Sequence, residues 1–388
     1  MSKVVFFSIP AHGHTNPTIE VVRGLTSRGN EVWYYSFQEF REKIEEAGAN
    51  YISCDDYLPN LRPEDEKKVG KDFSAMIEMI VDTTVALDEK VCKELEEINP
   101  DCIVSDSLCC WGKLFANKLG ITYICSTTTF AFNQYTAPMM KQSFKEIMYM
   151  LLGMRKVNKK LELLRSHGYD VKNFVSIIQN DNKTNTIVYT SKEFQPMVDT
   201  FSDKYYFVGP SVADVMVEKE RNARKKIYIS LGTVNNKNIN FYKNCIEAFK
   251  DNDIDVIMSV GNNTEISQLG NIPKNFKVEN KFNQLEVLQE VNGFISHCGM
   301  NSVNESIYYG VPLILFPQQS EQKMVCRRVA ELGAGFVLKN DKPQNIKEAV
   351  LEVINNTKYE ENAQKLSKSF KNSGGSVKAV DAILGLIH

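Results

Sequence analysis

The strongest constraint on what this chain can fold into is a rhythm: short apolar runs alternate with helical stretches, and the alternation runs through twice. "KVVFFSI" (3–9) is nearly continuous in Val and Phe, as expected of a parallel strand buried on both faces. Beyond it Asn16 is placed to cap a helix with Pro17 in the first turn. Ile19, Val22 and Leu25 carry the helical spacing and Gly29 stops it. "EVWYYS" (31–36), "NYISC" (50–54), "DCIVSD" (101–106), "ITYICST" (121–127), "TIVYTS" (186–191) and "YYFVG" (205–209) read as further strands. Between them lie helices, including a long amphipathic one over about 72–98 and one over 139–167.

A break follows Pro210, where "ADVMVEKERNARKK" (213–226) is charged and lacks an apolar face. The rhythm then restarts with "IYISLG" (227–232), "DVIMSVG" (255–261), "FKVEN" (276–280), "GFISH" (293–297) and "PLILFP" (312–317). Helices close the chain, and "NSGGS" (372–376) separates the last two. The expectation is an α/β protein of two tandem doubly wound parallel sheets. The first domain covers 1–210, a linker 211–226 and the second domain 227–388, with the C-terminal helices packing back on the first domain. Such sheets bind ligands beyond the carboxyl ends of their strands, so an interdomain cleft is where polar residues should gather.

A length of 388 residues fits two domains better than one. The net charge of −2 offers no basic surface for nucleic acid. No stretch approaches the length of a membrane helix; "IMYMLLGM" comes nearest and is far too short. "MSKVVFFSIPAHG" has too brief an apolar run for a signal peptide, and the nine cysteines form no C-x-x-C pair. Buried thiols in a reducing cytoplasm are the expectation.

"GFISHCGMNSVNESIYYGVPLILFP" (293–317) is the most informative stretch. A strand ends at His297, Gly299 makes the turn, and a helix starts near Ser302 and stops at Gly310. The N–H groups at such a helix start form an anion site. A second reading is equally open on spacing alone: Ser302 and Glu305 fit an S-x-x-E capping box.

From "NKFNQLEVL" (280–288) through "SHCGMNSVNES" to "PQQSEQ" (317–322), the chain resembles the sugar-nucleotide signature of family 1 glycosyltransferases with the two-domain Rossmann-like GT-B fold. The bacterial macrolide-type UDP-glycosyltransferases are the nearest branch. The resemblance implies that Gln284 lies beside uracil and ribose. It places His297, Asn301, Ser302 and the backbone at Gly299 on the diphosphate, and Glu305 on the ribose hydroxyls, which a carboxylate suits as an acceptor. Glu321 and Gln322 would reach the sugar. "SLGT" (230–233), with Ser230, Gly232 and Thr233, resembles the family's second phosphate-side loop. Lys281 stands where many relatives carry a tryptophan that stacks on uracil. Either Phe282 supplies the stack or the base is held more weakly, which leaves UDP against TDP open.

The first strand is followed by "IPAHGHTNP", not by G-x-G-x-x-G, which argues against a nicotinamide enzyme. In the resembling family the base is the histidine of a G-H-x-x-P turn, here Gly13 to Pro17, so His14 is the expected base and Asp106 its carboxylate partner. Imidazole suits the task, because an acceptor hydroxyl must lose its proton near neutral pH as it attacks the anomeric carbon. A helix N-cap is the other reading of Asp106. His12 lines the acceptor pocket or packs in the turn, and a zinc site there would lack further ligands. The hydrophobic acceptor is expected against Phe130, Phe132, Tyr135 and Met139, next to a run of methionines able to fit several aglycones. "DNDID" (251–255) spells the D-x-D of metal-dependent transferases but reads as a solvated turn, so no metal cofactor is expected.

The expected function is thus inverting transfer of a hexose from a UDP-sugar to a small hydrophobic acceptor by a cytoplasmic monomer or homodimer. No nucleic-acid or membrane partner is expected. A sugar-nucleotide epimerase of the same fold and a non-catalytic nucleotide-binding relative are the alternatives. The presence of both His14 and Asp106 speaks against the second.

Overall fold

The computed structural model describes residues 1–57, 73–139, 144–178, 180, 182–213, 224–233 and 236–387. The chain divides into two compact units. One comprises Met1–Tyr189, Met197–Ser211 and Gly374–His388; the other comprises Thr190–Pro196 and Val212–Ser373.

The first unit carries seven strands: β1 (Lys3–Phe7), β2 (Glu31–Ser36), β3 (Asn50–Ser53), β4 (Cys102–Asp106), β5 (Thr122–Thr127), β6 (Thr186–Val188) and β7 (Tyr205–Phe207). They form one sheet in the order β3-β2-β1-β4-β5-β6-β7, every pairing parallel. Its helices are α1 (His12–Ser27), α2 (Arg41–Glu46), α3 (Phe73–Ile98), α4 (Cys110–Leu119), α5 (Phe144–Ser166) and α6 (Phe174–Ile178). Val4, Val5, Phe6 and Phe7 of β1 are all buried, as strands covered on both faces must be.

The second unit repeats the plan with β8 (Lys225–Ser230), β9 (Ile254–Ser259), β10 (Phe276–Glu279), β11 (Gly293–Ser296), β12 (Leu313–Leu315) and β13 (Gly335–Val337). The order is β10-β9-β8-β11-β12-β13, again all parallel. Around it run α7 (Ile239–Phe249), α8 (Gln284–Val287), α9 (Met300–Tyr308), α10 (Ser320–Glu331), α11 (Pro343–Asn355) and α12 (Thr357–Asn372). A last helix, α13 (Gly375–Ile387), follows in the chain but belongs to the first unit. Its Ala379, Val380 and Ile383 are buried in that unit's core. Val380 lies so close to Gly24 that a Cβ there would meet its Cγ2 at 2.9 Å, and Arg28 pairs with Asp381 at 2.5 Å.

Segment 190–196 joins the second unit because Arg328 of α10 donates to the carbonyls of Phe194 (2.9 Å) and Glu193 (2.7 Å), while Phe194 meets Phe370 edge-on. The two α/β sheets match the sequence expectation in class and parallel order. Several local readings differ. The first helix begins at His12 with Ala11 as its N-cap, so Asn16 is no cap and Pro17 is interior; Pro17 lacks the N–H that would close onto Gly13. The strand β13 escaped the sequence reading because three residues, "GFV", give no alternation to detect. β8 starts at Lys225, and most of the charged stretch before it (214–223) lies outside the described residues. The helix expected over 139–167 runs from Phe144, and Met140 lies outside the described residues. Of "DNDID", Asp253 lies in the turn before β9 and Asp255 within β9, and Arg224 pairs with them at 2.7 and 3.4 Å.

Candidate active site

In the first unit, β1, β4 and β5 are neighbours, and their carboxyl ends bring together three polar side chains. His14 stands in the first turn of α1, just past β1, rather than in a loop before the helix. Asp106 is the last residue of β4 and is almost wholly buried. The two are 92 positions apart, yet His14 Nδ1 lies 2.8 Å from Asp106 Oδ2. The other carboxylate oxygen accepts from the Leu108 N–H at 2.9 Å, so the group is fixed at both ends. A carboxylate only accepts, so this contact puts a proton on Nδ1 and leaves the lone pair of Nε2 to receive another. The helix N-cap reading of Asp106 fails, because Cys109 is the N-cap of α4 and the Asp106 carboxylate takes the Leu108 N–H in the turn before that helix. Thr128, just past β5, places its Oγ1 3.1 Å from the same Nδ1.

His12 packs its ring edge-on to Phe40 at 5.0 Å, with Nε2 3.9 Å from Glu39. Among the expected acceptor residues, Phe130 is buried (1% exposed), Phe132 and Met139 are half-buried, and Tyr135 is 52% exposed. Asn133 shapes this loop: its Oδ1 accepts from the N–H groups of Tyr135 (2.9 Å) and Thr136 (3.1 Å). Along α5 Met148 and Leu152 are exposed.

In the second unit, the expected donor residues fall into two contacting groups, Gln284 with Ser302 and Glu305, and His297 with the backbone at Gly232 and Gly299. Helix α9 begins at Met300 with Gly299 as its N-cap; there is no side-chain cap and no acidic residue in the first turn. Such an end is receptive to an anion. Ser302 is consequently inside the helix, and the capping-box reading of Ser302 and Glu305 fails. Glu305 instead receives the Gln284 amide at 2.5 Å, while the same nitrogen reaches Ser302 Oγ at 3.3 Å. Burial pushes the Glu305 carboxyl up to about 7, with the Gln284 hydrogen bond opposing.

His297 opens the turn after β11, with its Nδ1 buried and unpartnered. Burial lowers its pKa to about 4, a hydrogen bond with the Ser230 backbone working against this, so the ring is neutral near pH 7. Ser230 Oγ accepts the Gly232 N–H at 3.3 Å, and Gly232 takes a left-handed φ of 79°. Thr233 next to it is exposed, and Asn301 is half-buried in the first turn of α9.

Phe282 has the Lys277 ammonium 4.9 Å from its ring centroid, and it lines a cavity of about 480 Å³ with Lys226, Asp255, Glu286 and Glu290. Lys281 beside it is exposed. Gln322 closes a capping box at the start of α10, its Oε1 accepting from the N–H groups of Gln318 (2.8 Å) and Gln319 (3.0 Å). Glu321 is exposed.

Two contributors were missed in the sequence. Thr128 sits one strand over from Asp106, at the same carboxyl edge; the pairing of Asp106 with Ser126 is the signal that would have found it. Asn236 is buried and donates to the carbonyls of Gly232 (3.0 Å) and Thr233 (3.1 Å), holding the loop after β8. Among the described residues no cluster of His, Cys, Asp or Glu could hold a metal ion, and no helix is long and apolar enough to cross a membrane.

Two doubly wound parallel sheets, each gathering polar residues at its carboxyl edge, define a protein of the GT-B class. Residues 243–375 match the family described as erythromycin biosynthesis protein CIII-like, C-terminal domain. The chain is 32% identical to the uncharacterized UDP-glucosyltransferase YojK of Bacillus subtilis, over 99% of this chain and 97% of that one. It is 34% identical to the NDP-glycosyltransferase YjiC of Bacillus licheniformis, over 98% and 96%. The glycotransferase of kitacinnamycin shares its fold with a TM-score of 0.83 at 23% identity, over 99% of this chain and 98% of that one. The chain belongs to the family 1 glycosyltransferases, and it is an enzyme of that class.

Proposed function

We propose that this glycosyltransferase moves a hexose, glucose in the first instance, from a UDP-sugar to a hydroxyl of a hydrophobic small molecule such as a macrolide or flavonoid, with inversion. The observation that carries the reading is the 2.8 Å contact of His14 Nδ1 with Asp106 Oδ2. With Nδ1 so engaged, Nε2 takes the acceptor's proton. The hydroxyl oxygen then forms its bond to the anomeric carbon as the bond to the diphosphate breaks, and UDP leaves with the electron pair. Asp106 steadies the imidazolium.

On the donor side Glu305 and Gln284 would take the ribose and uracil. The α9 start, His297 and the 230–233 loop would take the diphosphate, and Glu321 with Gln322 the sugar. The hydrogen bond from Gln284 to Glu305 and the acid-free start of α9 support these roles. The names of the Bacillus relatives support a nucleoside diphosphate donor, and the YojK name supports UDP-glucose. Helix-end amides and a neutral imidazole are proposed to meet the leaving charge without a metal ion. The setting is proposed as the cytoplasm, the protein acting as a monomer or homodimer.

A screen of UDP- and TDP-sugars against macrolide, flavonoid and simple phenol acceptors, read by mass with and without EDTA, tests the whole reading. The expected product is acceptor plus one hexose, formed equally with chelator present. Sugar isomerisation without acceptor, or EDTA-sensitive transfer, would contradict it.

A further inference from the structure

We infer that Thr128 is a positioning residue for His14: its hydroxyl oxygen meets the ring nitrogen that faces Asp106 and thereby fixes the plane of the imidazole. The inference rests on the reading of His14 as the base. Nδ1 has Asp106 Oδ2 at 2.8 Å and Thr128 Oγ1 at 3.1 Å. One hydrogen bond fixes a point and lets the ring swing about it, and the outer torsion of histidine is broad. A second contact from a different strand removes that swing.

Both anchors are rigid. Asp106 is held through Oδ1 by the Leu108 N–H. Thr128 is 3% exposed and β-branched, so its χ1 is stiff. The direction of the contact follows from proton inventory. The carboxylate requires the proton on Nδ1, so the threonine oxygen accepts a share of that proton rather than donating to the ring. When Nε2 takes a proton from the acceptor hydroxyl, Nδ1–H becomes part of a cation and both oxygens still face it. Thr128 therefore keeps the Nε2 lone pair aimed in one direction before the transfer and holds the ring through it. Thr128 touches the base and not the reacting atoms.

The test compares Thr128→Val, which keeps the shape and removes the oxygen, with Thr128→Ser, which keeps the oxygen. Readouts are kcat, donor KM, melting temperature and the ¹⁵N signals of the His14 ring in the free protein. Thr128→Val is expected to lower kcat roughly 3- to 10-fold with donor KM unchanged, and to shift or broaden the ring signals. Thr128→Ser should recover kcat to within about 2-fold. In a His14→Ala background the Thr128→Val loss should vanish, because the residue acts through the ring.

Wild-type kcat and an unchanged ring spectrum in Thr128→Val would overturn the inference. So would an equal loss in the His14→Ala background. If Thr128→Val unfolds, Thr128→Ala against Thr128→Ser decides by the same readouts. Wild-type turnover in His14→Ala alone would instead sink the reading of His14 as base, while the ring spectrum would still judge the Thr128 contact.

Discussion

The imidazole of His297 occupies the space that a side chain at Gly232 would need: a Cβ there would lie 2.5 Å from Cε1. A Cβ on Gly299 would likewise stand 2.5 Å from Nε2 of this ring. The ring thus abuts two stretches of backbone that only glycine leaves open. Gly232→Ala forces a Cβ into the ring and a left-handed φ onto alanine. Nucleotide affinity should fall by about tenfold or more, read by calorimetric titration with UDP, as the ring is pushed off the proposed diphosphate site. Unchanged UDP affinity in a folded Gly232→Ala protein would remove His297 from the diphosphate.

His14→Ala should lower turnover by about 10²- to 10⁴-fold, the span general bases contribute, with UDP binding kept. A variant that transfers sugar at the wild-type rate would put the base elsewhere.

Two half-buried groups of the second unit give opposite pH dependences. Glu305 titrates near 7 in the folded protein against an ordinary 4.5, so the folded state holds more protons between those values and stability falls as pH rises through that window. His297 titrates near 4 against an ordinary 6.5, so the unfolded state holds more protons and stability falls as pH drops from 6.5 to 4. The two slopes oppose each other between pH 4.5 and 6.5. Melting curves of Glu305→Gln should expose the His297 slope, stability climbing from pH 4 to 6.5. Those of His297→Asn should expose the opposite slope up to pH 7. Parallel profiles in wild type and both variants would mean that neither group is perturbed.

Nucleotide binding should release a fraction of a proton near pH 7, since a ribose diol donating to Glu305 favours the ionised carboxylate. Calorimetry of UDP binding in buffers of different ionisation enthalpy measures this directly. Release should disappear in Glu305→Gln, and proton uptake would contradict the assigned role.

Ile383 is fully buried in the first unit's core. Ile383→Ala should cost about 2–5 kcal/mol of that unit's stability, seen as a lowered melting transition. An unchanged melt would show that α13 contributes no core packing.

The sheets were legible because buried parallel strands leave continuous Val, Ile and Phe runs, as in "KVVFFSI" and "PLILFP". Helix starts were less so. Asn16–Pro17 looked like a cap and first turn, yet the backbone was already helical at His12, so local propensity gave way to the packing of the turn. Ser302 and Glu305 matched a capping box in spelling, but Gln284 claimed the carboxylate from a separate helix. Contacts between distant segments, such as His14 with Thr128, leave no trace in spacing. Only strand order brings them into view.

The return of α13 to the first unit also bears on biogenesis. The N-terminal sheet is synthesised early, but a helix that covers part of its core leaves the ribosome only after every strand of the second sheet. Until then α1 lacks the cover that Val380 provides over Gly24. Maturation of the early half is therefore tied to completion of the late one, and a nascent chain stalled before Gly375 carries an exposed apolar stripe for chaperones to find.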